Sequence, residues 1–190
     1  MKRILGVLLL LEIFVAAPSV TYGQEKKAEP KQKAQITANK DEIVAKISKY
    51  REEGEQKLVA NKFTRKEVAL TGDNVKETIK QKWEKMAAYY EGSKLVRIQL
   101  YPHLGYSGRS EEFYLMDNKL VFAFIQNRGL KQEGQDRGQP GKELYFQDDK
   151  IIKIEDRSDE PATHAEQEKR MYETGLPYEL SELLDLLKKN

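Results

Sequence analysis

The sequence predicts an α+β fold, an antiparallel β-meander of about six strands in three hairpins with an N-terminal helix and two C-terminal helices around it. Three observations predict it. One tyrosine-turn-lysine unit recurs three times in mid-chain, a capped amphipathic segment precedes the repeats, and a capped segment with a leucine stripe follows them.

The units are Tyr89 to Val96, Tyr114 to Val121 and Tyr145 to Ile152. Each has a tyrosine, a polar turn, a lysine five positions after the tyrosine, and two aliphatic residues. Gly92, Asn118 and Asp149 occupy the turns, and all three residue types tolerate the positive φ that tight hairpins need. The recurrence also decides an ambiguous stretch. Val75, Ile79, Trp83, Met86 and Tyr90 suit a helix by period, but the repeat makes residues from about 82 a strand and leaves a helical turn over 74–80. In the strand after Lys94, Val96, Ile98 and Leu100 alternate with Arg97 and Gln99, which predicts one buried and one wet face; Ile152 and Ile154 alternate with Lys153 and Glu155 in the same way. Leu120, Phe122 and Phe124 are expected on one face and Val121, Ala123 and Ile125 on the other, so 120–125 is expected to be covered on both sides.

Before the repeats, Asn39 and Glu42 have capping-box spacing, and Ile43, Ile47, Tyr50, Gly54 and Leu58 recur at helical intervals, predicting a helix over 40–59. Thr64 to Leu70 reads as a short strand closed by Gly72-Asp73-Asn74. After the repeats, Thr163 with Glu166 opens a short helix that is expected to stop near Gly175. Pro177 then starts a last helix whose Leu180, Leu183, Leu184 and Leu187 form one stripe, expected to be core.

Lys2 and Arg3 ahead of the apolar runs 4–11 and 13–17 have the pattern of a secretory signal, which implies a periplasmic or secreted protein. Cleavage is expected after Gly23, with Ala17 and Ser19 as other ends of the signal, so that no integral membrane span remains. An uncleaved anchor is the alternative, disfavoured by Glu12 within the stretch. Residues 24–37, rich in Lys, Gln, Glu and Ala, read as a flexible polar leader, and 38–190 as a single α+β domain. With no cysteine, the chain has no disulfide or thiolate metal site. A formal net charge of +2 leaves no footprint for a polyanion, so nucleic acid is not an expected partner.

The residues that could carry chemistry are few. His164 reads as an exposed bystander. His103 lies in a connection from Tyr101 to Glu112 that concentrates aromatic, cationic and hydroxyl groups, and Tyr101, His103, Tyr106, Arg109 and Glu111 are the candidate ligand-binding residues. A hydrolytic site would need His103 as base, Ser107 or Ser110 as nucleophile and Glu111 or Glu112 as orienter. No nucleophile elbow, zinc-binding helix motif or phosphate loop accompanies them, so no catalytic residue, metal or cofactor is assigned. The second long connection, 126–142, offers only Leu130 as an apolar anchor, so it is expected to be disordered, and because it joins two strands its glycines have no helix with which to bind phosphate. Tyr89, Tyr114 and Tyr145 should form a row if the hairpins stack in register. Such a row can bind a sugar or peptide, or stabilise the sheet through cross-strand pairs.

The run from Lys94 through Tyr101-Pro102-His103, Glu111 to Tyr114 and Asn118 to Phe122 resembles a group of uncharacterised exported proteins of Gram-negative bacteria, over roughly residues 81–155. The hairpins are more distantly similar to the β-hairpin repeats of MORN-like and antitoxin-type proteins. Neither resemblance implies a catalytic residue. The expected function is that of a non-catalytic periplasmic binding or structural accessory module, whose partner is another envelope protein, a peptide or a glycan. A hydrolase using His103 and an oligomeric scaffold using the leucine helix are the alternatives.

Overall fold

A computed structural model of the chain describes residues 30–103, 109–127, 141–156 and 165–189. Its elements are α1 (Pro30–Val59), β1 (Thr64–Ala69), α2 (Glu77–Lys80), β2 (Trp83–Glu91), β3 (Lys94–Pro102), β4 (Arg109–Met116), β5 (Lys119–Asn127), β6 (Gly141–Gln147), β7 (Lys150–Asp156) and α3 (Ala165–Lys189). The strands form one antiparallel sheet in sequence order, β1 to β7. The meander therefore has seven strands rather than six, because the short strand before the repeats pairs with β2 as an edge. The first helix begins at Pro30, ten residues before the expected start, and takes in the second half of the segment read as a leader.

Each repeat is a hairpin with a two-residue turn. Positive φ falls at Gly92, at Asp117 and Asn118 (52° and 62°), and at Asp148 and Asp149 (49° and 61°), and the last two pairs have the type I′ signature that suits strand twist. All three hairpins also carry a bulge at the same point. The register slips after Tyr89, Tyr114 and Tyr145, leaving Val96, Val121 and Ile152 as extra residues on the returning strands.

The bulges correct the expected alternation. Leu120 packs in the larger core with Ala123 and Ile125, whereas Phe122 and Phe124 pack with Val121 in a smaller core. Ile152 and Ile154, expected on one face, divide between the two cores in the same way. Residues 120–125 are nonetheless covered on both sides, as expected.

The larger core lies under α3, where Leu176, Leu180, Leu183 and Leu186 bury against Trp83, Leu100, Phe113, Leu115 and Phe146. Leu184 and Leu187 are partly buried against it, so the stripe is core. The expected pair of C-terminal helices is one helix, with Pro177 inside it. A proline at that position forfeits one helical hydrogen bond, and the run of buried leucines on both sides of it offsets that loss. Polar contacts pin α3 along its length: Lys142 to Glu168 at 2.6 Å, Ile151 N–H to Glu173 at 2.9 Å, Trp83 Nε1 to Glu179, and Lys76 to Glu182 at 2.7 Å. The helix thus crosses the sheet from β6 and β7 to β2 and α2. Among the described residues no helix is long and apolar enough to cross a membrane.

The smaller core lies under α1, which sets Val44 and Ile47 against Tyr114, Phe122 and Tyr145. Tyr50 donates to the Leu115 carbonyl at 2.7 Å, Arg51 pairs with Glu143 at 2.8 Å, and Lys57 reaches Glu91 at 2.7 Å. Helix and sheet approach closely at Gly54, where a Cβ would lie 3.0 Å from the Tyr114 ring.

Candidate functional site

Strand register assembles the α1 face into two rows. Directly opposed residues give Arg65, Tyr89, Arg97, Tyr114, Phe122, Tyr145 and Lys153 across β1 to β5, then β6 and β7. The next row is Glu67, Ala87, Gln99, Glu112, Phe124, Glu143 and Glu155. Cations and aromatic rings fill the first row, and most of the second is acidic. Pairs join them: Arg65 to Glu67, Arg97 to Glu112 at 2.8 Å, and Lys153 to Glu155.

The first row is a ladder of ring contacts. The Arg97 guanidinium lies 5.2 Å from the Tyr89 ring and 5.7 Å from the Tyr114 ring. Tyr114 meets Phe122 edge-on at 5.8 Å, and Phe122 meets Tyr145 at 5.2 Å. Each such contact contributes about 0.5 to 1.5 kcal/mol beyond burial. The tyrosine row expected from the repeats is therefore present, and it is core: Tyr89, Tyr114 and Tyr145 are buried. Burial also pushes the Tyr114 phenol far above its usual pKa. Arg97, expected on a wet face, is 3 % exposed, because the neighbouring rings enclose it. Burial opposes its charge, and Glu112 outweighs that, so its pKa stands above the ordinary value.

The face differs at β1 to β3. There Arg65, Glu67 and Lys85 keep 46 %, 41 % and 42 % of their side-chain surface, and Gln99 and Tyr101 are half-buried. These groups bond to one another. Tyr101 donates to Gln99 Oε1 at 2.9 Å, Lys85 donates to Glu67 at 3.2 Å, and the Lys85 ammonium lies 5.1 Å from the Tyr101 ring. Hydrogen bonds to Tyr89 and Tyr101 raise the pKa of Arg65, and the bond from Lys85 lowers that of Glu67. The result is a pre-ordered patch of mixed charge with an aromatic centre.

Of the residues singled out from sequence, Tyr101 lies in this patch. His103 follows β3, half-buried, and its Nε2 makes a 2.6 Å hydrogen bond with the Lys80 carbonyl. A carbonyl only accepts, so Nε2 carries the proton, and the ring ties the end of β3 to α2. Glu111 is fully buried on the opposite face, beside Leu100 and Ile125. Arg109 opens β4, and its side chain lies outside the described residues, as do Tyr106, Ser107, His164 and most of the 126–142 connection. Tyr101, His103 and Glu111 are thus not shown converging on one centre. Among the described residues no cluster of His, Asp and Glu suited to a metal is present.

Sequence reasoning missed Arg65, Glu67, Lys85 and Gln99. Their only signal is alternation on β1, β2 and β3, and what joins them is the pairing register between those strands. No protein-family model matches the chain, and neither a curated protein nor a solved structure does.

Proposed function

We propose that this chain is an exported, non-catalytic binding module of the cell envelope whose contact surface is the patch formed by Arg65, Glu67, Lys85, Gln99 and Tyr101. One observation carries this reading: these side chains stay partly exposed and mutually bonded around an aromatic ring, while Tyr89, Arg97, Tyr114, Phe122 and Tyr145 of the first row are buried. Tyrosine and arginine held rigid cost little entropy on binding, and charges of both signs beside them suit a polypeptide partner. The resemblance to exported proteins and the N-terminal signal pattern support the location.

The test places a photo-crosslinking side chain at Lys85 in the full exported chain and, as control, at the exposed Met171 of α3. Irradiation in cells should join a second, different polypeptide at position 85 and none at 171. Adducts at both positions, or at neither, would contradict the reading.

A further inference from the structure

The two edges of the sheet are unlike. On β7 the outward N–H of Ile151 is taken by Glu173 of α3 at 2.9 Å. On β1, Thr64, Arg65, Glu67 and Ala69 are all exposed. The Leu70 N–H donates to the Glu84 carbonyl at 2.8 Å, and peptide direction alternates along an antiparallel strand. Val68, Lys66 and Thr64 therefore point their peptide groups at β2, and Arg65, Glu67 and Ala69 point theirs away from the sheet. An exposed edge of this kind is a template for another strand.

We infer that β1 is a self-association edge, on which two copies of this chain pair their β1 strands antiparallel about a two-fold axis at Lys66 to make one continuous sheet. The register follows from charge. Only residues with outward peptide groups can exchange hydrogen bonds across the axis. Centring the pair on Arg65 or on Glu67 sets like charges opposite each other. Centring it on Lys66 sets Arg65 against Glu67 of the second copy, twice, and Phe63 against Ala69, twice. Phe63 is half-buried and already packs edge-on against Tyr89 at 6.4 Å, so its ring is placed on the face where the small Ala69 leaves room. Arg65 and Glu67 pair within one chain in the monomer and exchange partners on association. The one unfavourable pair is Lys66 against itself, on the α3 face. The edge carries no bulge or proline that would block pairing. The edge shares Arg65 and Glu67 with the proposed contact patch, and the two are told apart by readout: self-association shows in the chain's own mass, partner binding in adducts to a different polypeptide.

The absence of cysteine makes a clean test. In the proposed register residue 66 faces its own copy at a non-hydrogen-bonded pair, where Cα atoms are about 4.5 Å apart and a disulfide is within reach, whereas residue 64 faces 68. Under mild oxidation Lys66→Cys should form a covalent dimer and Thr64→Cys should not. Sedimentation of the unmodified chain from micromolar to millimolar concentration should show reversible dimerisation. Arg65→Glu and Glu67→Arg should each weaken it by about tenfold or more, and the double exchange should restore it. Lys66→Thr should strengthen it. A chain that stays monomeric at millimolar concentration, equal crosslinking at 64 and 66, or a double exchange as weak as the single variants would overturn the inference.

Discussion

The guanidinium of Arg97 meets the carboxylate of Glu112 at 2.8 Å between two tyrosine rings, in a strand whose alternation marks that position as wet. Nε and Nη1 of Arg97 have no hydrogen-bond partner, and the ring faces of Tyr89 and Tyr114 supply the contact that solvent would otherwise give. Removing one partner of a buried pair leaves the other uncompensated. Arg97→Ala should destabilise the chain by about 3 to 5 kcal/mol, and Arg97→Lys by roughly 1 to 2 kcal/mol, because an ammonium keeps the charge but loses the planar stack. Chemical denaturation measures both, and an Arg97→Ala loss under about 0.5 kcal/mol would contradict the enclosed geometry.

Gly54 separates helix propensity from packing. Leucine is better than glycine in a helix interior by up to about 1 kcal/mol, so propensity alone makes Gly54→Leu stabilising. The Tyr114 ring, 3.0 Å from the would-be Cβ and held by Glu55, opposes it. A net loss of about 1 to 3 kcal/mol is expected from overpacking, and a gain in the denaturation midpoint would place α1 elsewhere.

The turns make an opposite-signed prediction. Asp149 sits at φ 61°, where a side chain is strained. Asp149→Gly should stabilise by roughly 0.5 to 1 kcal/mol and Asp149→Val should destabilise by more than about 1 kcal/mol, both read by thermal unfolding. No difference between them would remove the positive-φ turn.

Alkaline pH should weaken the fold. Burial raises the phenols of Tyr114, Tyr50 and Tyr145 above their usual 10.0. In the unfolded chain these groups lose their protons near pH 10.0, while in the fold each holds its proton to higher pH. The folded state then holds more protons, and stability falls as pH rises through that window, whereas below it the three phenols contribute no pH dependence. The denaturation midpoint should drop between about pH 9 and 11, with phenolate absorbance from these residues appearing only as the chain unfolds. Phenolate formation at Tyr114 in the folded protein would contradict the burial.

The hairpins were legible in the sequence because turn chemistry is local: Gly92, Asn118 and Asp149 mark the turns whatever surrounds them. The bulges were not legible, since Val96, Val121 and Ile152 have ordinary strand character and only pairing shows that each is one residue too many. That single slip moved Phe122 and Phe124 away from Leu120. Tyr101 was visible as an aromatic near a loop. Lys85, Gln99, Arg65 and Glu67 come to it across three strands, and a contact of that range has no local signature.

The division of the α1 face into a covered tyrosine row and an open patch is tested most directly by mapping tyrosine nitration in the native chain by mass spectrometry. Tyr101, and Tyr178 at 55 % exposure on α3, should be modified while Tyr89, Tyr114 and Tyr145 react only after denaturation. Modification of Tyr114 and Tyr145 in the native chain, with Tyr101 protected, would contradict it.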